Sequence, residues 1–357
     1  MTAMIPIGSS PSQPMMVVTP ATRVLAIETS CDETAAAVVE GGRWVVSSVV
    51  ATQFERHERF GGVVPEIASR AHLELINDVV ADALRDANLR LRDIGVIAAT
   101  QGPGLAGALL VGVSAAKALA LATSRPYHGV HHHEAHLYAA MLADPTLEPP
   151  FVTLIVSGGH TLLVAMDDHG RYRVLGRTVD DAAGEAYDKV ARLLGLGYPG
   201  GPILDQLAGT GNPEAIRFTR PMLDPREPDN LDFSFSGLKT AVVLHRRKHP
   251  DQPIADVAAA FQDCVVDVLT TKLLRAARRE RLGTIVLGGG VAANSALRAR
   301  VVAEAERASL RCVVPDRSLC TDNAAMVGAA AWHRLRFEPP TGLAGGAVPN
   351  LALPGTT

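Results

Sequence analysis

Phe151-Val152-Thr153-Leu154-Ile155-Val156-Ser157-Gly158-Gly159-His160-Thr161-Leu162-Leu163-Val164-Ala165-Met166 decides the fold. Its first six residues are apolar and rich in β-branched side chains, which predicts a buried strand. Residues 157–160 read as a tight polar turn, and Thr161 to Met166 as a second strand. Asp168-His169-Gly170 turns the chain again, and Tyr172 to Val179 is a third strand. The same order stands earlier. Val24 to Glu28 is a strand, Thr29-Ser30-Cys31-Asp32-Glu33-Thr34 a polar turn, and Ala35 to Val39 a strand. Gly41-Gly42 then makes a hairpin turn before a strand over Trp44 to Val50.

Each copy continues into helices. After the first come a helix from about Pro65 to Asn88, with proline in its first turn, and a buried strand over Val96 to Thr100. A glycine-rich turn, a helix over Leu105 to Ala122 and a short strand near Tyr127 to Val130 complete it. After the second come a helix-rich stretch, a strand over Thr284 to Leu287, Gly288-Gly289-Gly290 and a helix from about Ala292. A chance hairpin would explain either copy alone. The shared order predicts a duplication: an α/β protein of two similar lobes facing each other.

The 357 residues suffice for two domains of ordinary size. Hydrophobic content of 47% is inflated by alanine and only 4% of residues are aromatic, a globular rather than a membrane composition. The longest apolar run, Gly104 to Ala116, ends at Lys117; it is too short to span a bilayer and predicts a buried helix. Cys31, Cys264, Cys312 and Cys320 lack CxxC spacing, which suits a reducing, cytoplasmic setting. The Ser-, Pro- and Met-rich residues 1–22 lack a basic segment and a cleavage site, so they read as a disordered tail. A net charge of −3 gives no global pull toward nucleic acid. Any RNA contact falls to partner proteins or to local cations: Arg56, His57 and Arg59, then His245-Arg246-Arg247-Lys248-His249, then Arg275, Arg278, Arg279 and Arg281.

Three glycine turns could let a phosphate approach the backbone: Ser157-Gly158-Gly159, Gly200-Gly201 and Gly288-Gly289-Gly290. None is followed by Lys-Ser/Thr, so none is a Walker A loop. Gly102, Gly104 and Gly107 spell GxGxxG after a strand. That strand is the fourth of its lobe, and no acidic residue follows at the required spacing, so these glycines read as tight strand-to-helix packing.

His131-His132-His133-Glu134-Ala135-His136 opens a helix. Residues four apart share a helix face, so His132 and His136 can converge on one metal ion. The plainer alternative is surface histidines plus one in the core. A zinc-peptidase HExxH motif would need glutamate where His133 stands. Glu134 lies roughly 200° around the helix from His132 and faces away. Asp322, in Cys320-Thr321-Asp322-Asn323, is the candidate third ligand; otherwise it simply favours a helix N-terminus. Two imidazoles and a carboxylate leave positions open, as in non-haem iron sites, and zinc also accepts the set.

Taken together, Glu28 to Thr34, Phe60-Gly61-Gly62-Val63-Val64-Pro65-Glu66, His132 to His136 and Val156-Ser157-Gly158-Gly159-His160-Thr161 form a distinctive series. Asp180-Asp181-Ala182-Ala183-Gly184-Glu185, Phe233-Ser234-Phe235-Ser236-Gly237-Leu238-Lys239-Thr240, Gly288 to Asn294 and Thr321-Asp322-Asn323-Ala324 extend it. From Arg23 to Arg334 the chain resembles the bacterial TsaD family, the tRNA adenosine threonylcarbamoyltransferases once called glycoproteases.

The resemblance implies an actin/Hsp70/sugar-kinase-like fold of two ribonuclease-H-like lobes, with the nucleotide site in the cleft. With the tails read from composition, the expected boundaries are a disordered tail over 1–22, a first lobe over 23–130 plus 318–337, a second over 131–317, and a loose tail over 338–357. An irregular, proline-rich insertion is expected near 197–232. The implied reaction moves a threonylcarbamoyl group from threonylcarbamoyl-adenylate to the exocyclic amine of the adenosine 3′ of the anticodon, in tRNAs reading codons that begin with A. Implied metal ligands are His132, His136 and Asp322, with Fe2+ favoured and Zn2+ or Mg2+ as alternatives. Implied substrate contacts are Ile155, Val156, Ser157, Gly158, Gly159, Asp188, Gly201, Asp205 and Asn294. Implied partners, besides tRNA, are the inactive paralogue TsaB and the small ATPase TsaE, with no membrane. Asp32 and Glu33 are positioned as bases without being assigned that role. The competing readings are an ATPase of the same fold without transferase activity, a metallopeptidase, and a non-catalytic nucleotide-binding scaffold.

Overall fold

The computed structural model describes residues 14–353. Two five-stranded sheets organise them. The first holds β1 (Arg23–Glu28), β2 (Glu33–Glu40), β3 (Trp44–Thr52), β4 (Val96–Gly102) and β5 (Tyr127–His131), in the order β3-β2-β1-β4-β5. The second holds β6 (Phe151–Val156), β7 (Thr161–Asp168), β8 (Arg171–Arg177), β9 (Thr284–Gly288) and β10 (Arg311–Val313), in the order β10-β9-β6-β7-β8. In each sheet the first three strands form an antiparallel meander, and the last two extend it in parallel from the first strand. The duplication read from sequence is therefore a duplication of topology. It includes β10, which the sequence reading lacks, because three residues beginning with an exposed arginine carry no strand pattern.

Helices fill the layers. α1 (Phe54–Glu58) is a short turn after β3. α2 (Pro65–Asp86) and α3 (Ala106–Thr123) cover the outer face of the first sheet, meeting Leu25, Ile27, Ile97 and Ala99. α4 (His132–Ala143) pairs with α11 (Ala324–Arg334) in a central layer. That layer takes Val24, Ala26, Val96 and Ala98 from the first sheet and Ile155, Val164 and Val286 from the second into one core. On the far face of the second sheet lie α5 (Ala183–Leu193), α6 (Gly200–Ala208), α7 (Ser236–Lys248), α8 (Ile254–Glu280) and α9 (Ser295–Arg307), with Val152, Leu154 and Val156 beneath them. α10 (Arg317–Cys320) leads back to α11. Alternation along β6 thus divides its side chains between two cores, the expected consequence of a period of two.

Four expectations change. α3 is not buried all round: Leu109, Val113 and Ala116 face the sheet while Leu110 and Leu121 are exposed, because only one side has a layer to pack on. It is the one described helix long and apolar enough to cross a membrane, and it lies against the sheet. The 197–232 insertion contains α6, with Leu204 and Ala208 buried, so it is irregular only in part. Residues 338–353 are docked, not loose. Val348 N–H donates to the Gln101 carbonyl at 2.8 Å, Gln101 Nε2 donates to the Gly346 carbonyl at 2.7 Å, and Leu353 is buried in the central core. Of the expected N-terminal tail, residues 1–13 lie outside the described residues. Residues 14–22 are held: Trp332 Nε1 donates to the Thr19 carbonyl, and Met16 and Val18 pack on the central core.

Candidate metal and nucleotide site

The two central helices start at the same end of the molecule, where β1, β5 and β6 also finish. α4 begins at His132 because His131 caps it. His131 Nδ1 accepts the backbone N–H of His133 at 3.1 Å and of Glu134 at 3.4 Å, and its Nε2 side meets the Leu351 carbonyl at 3.1 Å. Burial holds the His131 pKa down at about 4, so the ring stays neutral and can accept.

One turn along α4, His132 and His136 bring their ring centroids to 4.9 Å. Asp322, in the turn ahead of α11, places Oδ1 3.5 Å from His132 Nε2 and 3.2 Å from His136 Nε2. One ligand atom from each of the three residues falls within 4.8 Å of the others. Behind them stands Glu28, fully buried at the end of β1 and absent from the ligand set read in the sequence. Its Oε2 meets His132 Nδ1 at 3.1 Å and accepts the Thr100 hydroxyl at 2.6 Å, while Oε1 accepts the Ser30 N–H.

The electrostatics favour a cation. Burial opposes charge on His132, yet the Asp322 and Glu28 carboxylates push its pKa up to about 9. Burial likewise opposes charge on Asp322 and Glu28, but His132, His136 and His160 together lower the Asp322 pKa, and His132 with the Thr100 hydroxyl lowers that of Glu28. Both ring nitrogens of His136 lack a hydrogen-bond partner although the residue is 1% exposed. A buried imidazole with no hydrogen bond of good geometry beyond its approach to Asp322, two carboxylates and a ring whose Nδ1 is engaged by Glu28 fit a divalent ion. Glu28→Gln is expected to lower metal affinity about tenfold or more while the protein stays folded. Chelator competition with Co2+ or Zn2+, beside a circular dichroism melt, measures it.

Glu134 faces away, as its position predicts. It accepts the Tyr172 hydroxyl at 2.6 Å and lies 3.6 Å from Arg334 Nε. Its carboxylate is thereby held away from the His132–His136–Asp322 cluster.

A cleft of about 1140 Å³ opens beside this cluster, at His132 and Asp322. It is bordered by Ser157, Gly158, Gly159, Asp188, Gly201, Asp205 and Asn294, together with His132 and Asp322. Ile155 and Val156 end β6 with their side chains in the cores, not the cleft. A Cβ built on Gly158 or Gly159 would touch nothing within 4 Å. Among the described residues their N–H groups have no acceptor, whereas Ser157 N–H donates to the His160 carbonyl at 2.8 Å. Within the 157–159 turn, the two glycines are thus the residues with free amides to offer a ligand.

Several site residues also bind one another. Asp188 Oδ1 accepts the N–H groups of Gly200 at 2.9 Å and Gly201 at 3.3 Å, so the α6 N-terminus already has its carboxylate. Burial raises the Asp188 pKa. Asp205 accepts the Ser295 N–H and hydroxyl, and Asn294 Oδ1 caps α9 through Leu297 N–H at 2.9 Å. Gln262, unnoticed in the sequence, joins Asp205 to Asn294. Asp180 explains two further motifs at once, accepting both hydroxyls of Ser234 and Ser236 and the N–H of Phe235 at the start of α7. Asp32 and Glu33 border the cleft. Burial, then Asp32 and Asp322, pushes Glu33 up to about 10, so it holds its proton at neutral pH. The Gly102–Gly107 turn is close packing: a Cβ on Gly104 would meet Ser30 O at 2.6 Å, and one on Gly107 would strike Ser69.

Of the first cation cluster, Arg59 alone is exposed without an ion pair among the described residues, its guanidinium lying over the Phe60 ring. His57 is buried and Arg56 pairs with Glu74 at 2.7 Å. At the C-terminal end of α7, Arg247 and Lys248 are exposed and make no ion pair among the described residues.

The sequence profile of the family described as TsaD, tRNA N6-adenosine threonylcarbamoyltransferase, matches residues 44–329. The tRNA N6-adenosine threonylcarbamoyltransferase of Moorella thermoacetica is 54% identical over 336 residues, covering 93% of this chain and 97% of that protein. The enzyme of the same name from Thermosynechococcus vestitus is 56% identical over 317 residues, covering 87% and 89%. Among solved structures, T. kodakarensis HypF aligns with a TM-score of 0.60 at 14% identity, over 91% of this chain and 49% of that one. Component A of the Acidaminococcus fermentans (R)-2-hydroxyglutaryl-CoA dehydratase gives 0.54 at 14% identity, over 88% and 99%. Those two likenesses speak for the two-lobed fold alone. Most of the chain matches one family, and over half of its residues are identical to those relatives across nearly their full length. The chain belongs to the tRNA N6-adenosine threonylcarbamoyltransferase family.

Proposed function

We propose that this protein transfers the threonylcarbamoyl group from threonylcarbamoyl-adenylate to the exocyclic amine of the adenosine 3′ of the anticodon, in tRNAs reading codons that begin with A. The observation that carries the reading is the His132–His136–Asp322 triad opening onto the same cleft as the free Gly158 and Gly159 amides. Adenylate is already a good leaving group in a mixed anhydride. The protein must hold the acyl carbon near a weak amine and stabilise the charge that develops. Gly158 and Gly159 N–H groups point that stabilisation at the acyl phosphate. Asp205 accepts from a ribose hydroxyl, and Asn294 and Asp188 shape the nucleotide seat.

His132, His136 and Asp322 would hold the ion, and Glu28 would orient His132. Two imidazoles and one carboxylate favour Fe2+ or Zn2+ over Mg2+, which prefers oxygen ligands; Fe2+ is our assignment. Bound there, the ion supplies Lewis acidity toward a carbonyl or phosphoryl oxygen.

Partners follow from the same reading: the paralogue TsaB and the ATPase TsaE, acting in the cytoplasm. Leu73 on α2 and Leu110 and Leu121 on α3 are 63%, 58% and 70% exposed on neighbouring helices, which supports a protein partner on that face. For tRNA, the unpaired end of α7 is the favoured contact. Arg246→Ala/Arg247→Ala is expected to weaken tRNA binding and reduce the slope of log affinity against log salt by roughly 1–2. Unchanged binding removes that end of α7 from the footprint.

The deciding experiment combines the purified protein, its two partners, threonylcarbamoyl-adenylate and unmodified tRNA, followed by mass spectrometry of the nucleosides. Threonylcarbamoyladenosine is expected. Its absence, where a bacterial relative forms it, overturns the reading. ATP hydrolysis without modified tRNA would favour the ATPase alternative.

A further inference from the structure

Under the nucleotide end of the cleft, four polar side chains from separate segments meet. Gln262, in the first third of α8 and 6% exposed, does not border the cleft; Tyr187, Asp205 and Asn294 do. Gln262 Nε2 donates to Asp205 Oδ1 at 3.0 Å. Its Oε1 accepts from Asn294 Nδ2 at 2.8 Å and from the Tyr187 hydroxyl at 3.4 Å. Asp205 also accepts the Ser295 hydroxyl on Oδ1 at 2.8 Å and the Ser295 N–H on Oδ2 at 2.9 Å.

A carboxylate oxygen has two lone pairs. Oδ1 is therefore filled by Gln262 and Ser295, while Oδ2 has one donor and one lone pair left. That remaining acceptor belongs to a residue bordering the cleft. The opposite side of the Gln262 amide holds Asn294, whose own oxygen caps α9. Only a neutral side chain offering a donor and an acceptor together can serve both neighbours. A carboxylate at 262 would set an anion against Asp205, and a hydrocarbon would leave Asp205 and Asn294 each short of a partner.

We propose that Gln262 is a positioning residue for the nucleoside of the substrate, holding Asp205 so that its one free lone pair accepts a ribose hydroxyl. The proposal rests on the reading of Asp205 as a ribose contact given above. It goes further in assigning the orientation of that contact to a residue that touches no substrate.

The probe is AMP against 2′,3′-dideoxy-AMP, titrated calorimetrically into the full-length protein. Melting temperature and metal content are measured alongside. The parent protein is expected to favour AMP by about tenfold, the value of one retained hydrogen bond to a charged acceptor. Gln262→Leu and Gln262→Glu are expected to lose that preference, binding both nucleotides alike, with metal content unchanged. A loss of stability alone would not erase discrimination between two nucleotides differing only in ribose hydroxyls. Should Gln262→Leu fail to fold, the nearly isosteric Gln262→Glu decides. Asp205→Ala separates the two layers of argument. A preference lost in Asp205→Ala but kept in both Gln262 variants overturns the positioning role and leaves the ribose contact standing. A preference absent from the parent protein, or kept in Asp205→Ala, overturns the ribose contact itself and the positioning role with it.

Discussion

His132→Ala combined with His136→Ala is expected to empty the metal site and to reduce transfer at least a hundredfold. Asp322 alone offers one carboxylate, and a single ligand does not retain a divalent ion against solvent. The paired change is chosen because either histidine alone leaves a His–Asp couple that can hold metal weakly. The substitution itself is mild for the helix, since alanine is the strongest helix former. It also removes one ring that Glu28 binds, leaving a buried carboxylate with Thr100 and Ser30 as partners. Metal analysis of the purified variant, beside its melting curve and nucleoside analysis, checks the result. A variant that keeps stoichiometric metal would place the ion elsewhere.

Gly289→Ala is expected to be strongly destabilising, because strain and a backbone clash coincide there. Gly289 has φ +84° and ψ 161°, a region that side chains other than glycine's scarcely enter. The added Cβ would strike the Val156 carbonyl oxygen and come within 2.8 Å of the Val156 carbonyl carbon. Neither side can give way, because Ile155 and Gly288 are paired in the β6–β9 ladder just below. Backbone strain and overpacking together are expected to cost about 3 kcal/mol or more, a fall in melting temperature of roughly 4 °C or more for a chain of this length. Any relaxation moves the end of β6, and with it the Gly158 and Gly159 amides, so nucleotide affinity is expected to fall in the fraction that folds. Differential scanning calorimetry and AMP titration give the two readouts.

How far these features were legible depended on whether the physics was local. β6, the 157–160 turn and β7 follow from residue alternation, and their echo in β1 to β3 revealed the duplication. His132 and His136 were visible because helix geometry sets four residues on one face. Glu28 was not: it meets His132 across 104 residues, and as the last residue of an apolar strand it looks like the start of a turn. Gln262 had no signal, since a lone glutamine inside a long helix reads as ordinary. α6 was hidden by Gly200-Gly201-Pro202, read as loop chemistry, when Asp188 in fact caps that helix from another segment. Asp205 and Asn294 came only from family resemblance, and the structure adds that most of their hydrogen-bonding capacity is used within the protein.

The central pair of helices carries a consequence for how the chain is made. β1 and β2 emerge early in synthesis, yet one face of each is covered by α11, nearly three hundred residues later. Until that segment leaves the ribosome, Val24, Ala26, Ala35 and Ala37 have no permanent cover on that side. The first lobe is therefore not a contiguous folding unit, and a fragment ending after β5 would expose an apolar sheet face prone to association. Asp322 and Leu351 arrive with the same late segment. The candidate ion site and the cap on its helix are thus finished last, so a nascent chain lacks the full His132–His136–Asp322 set until the end of synthesis.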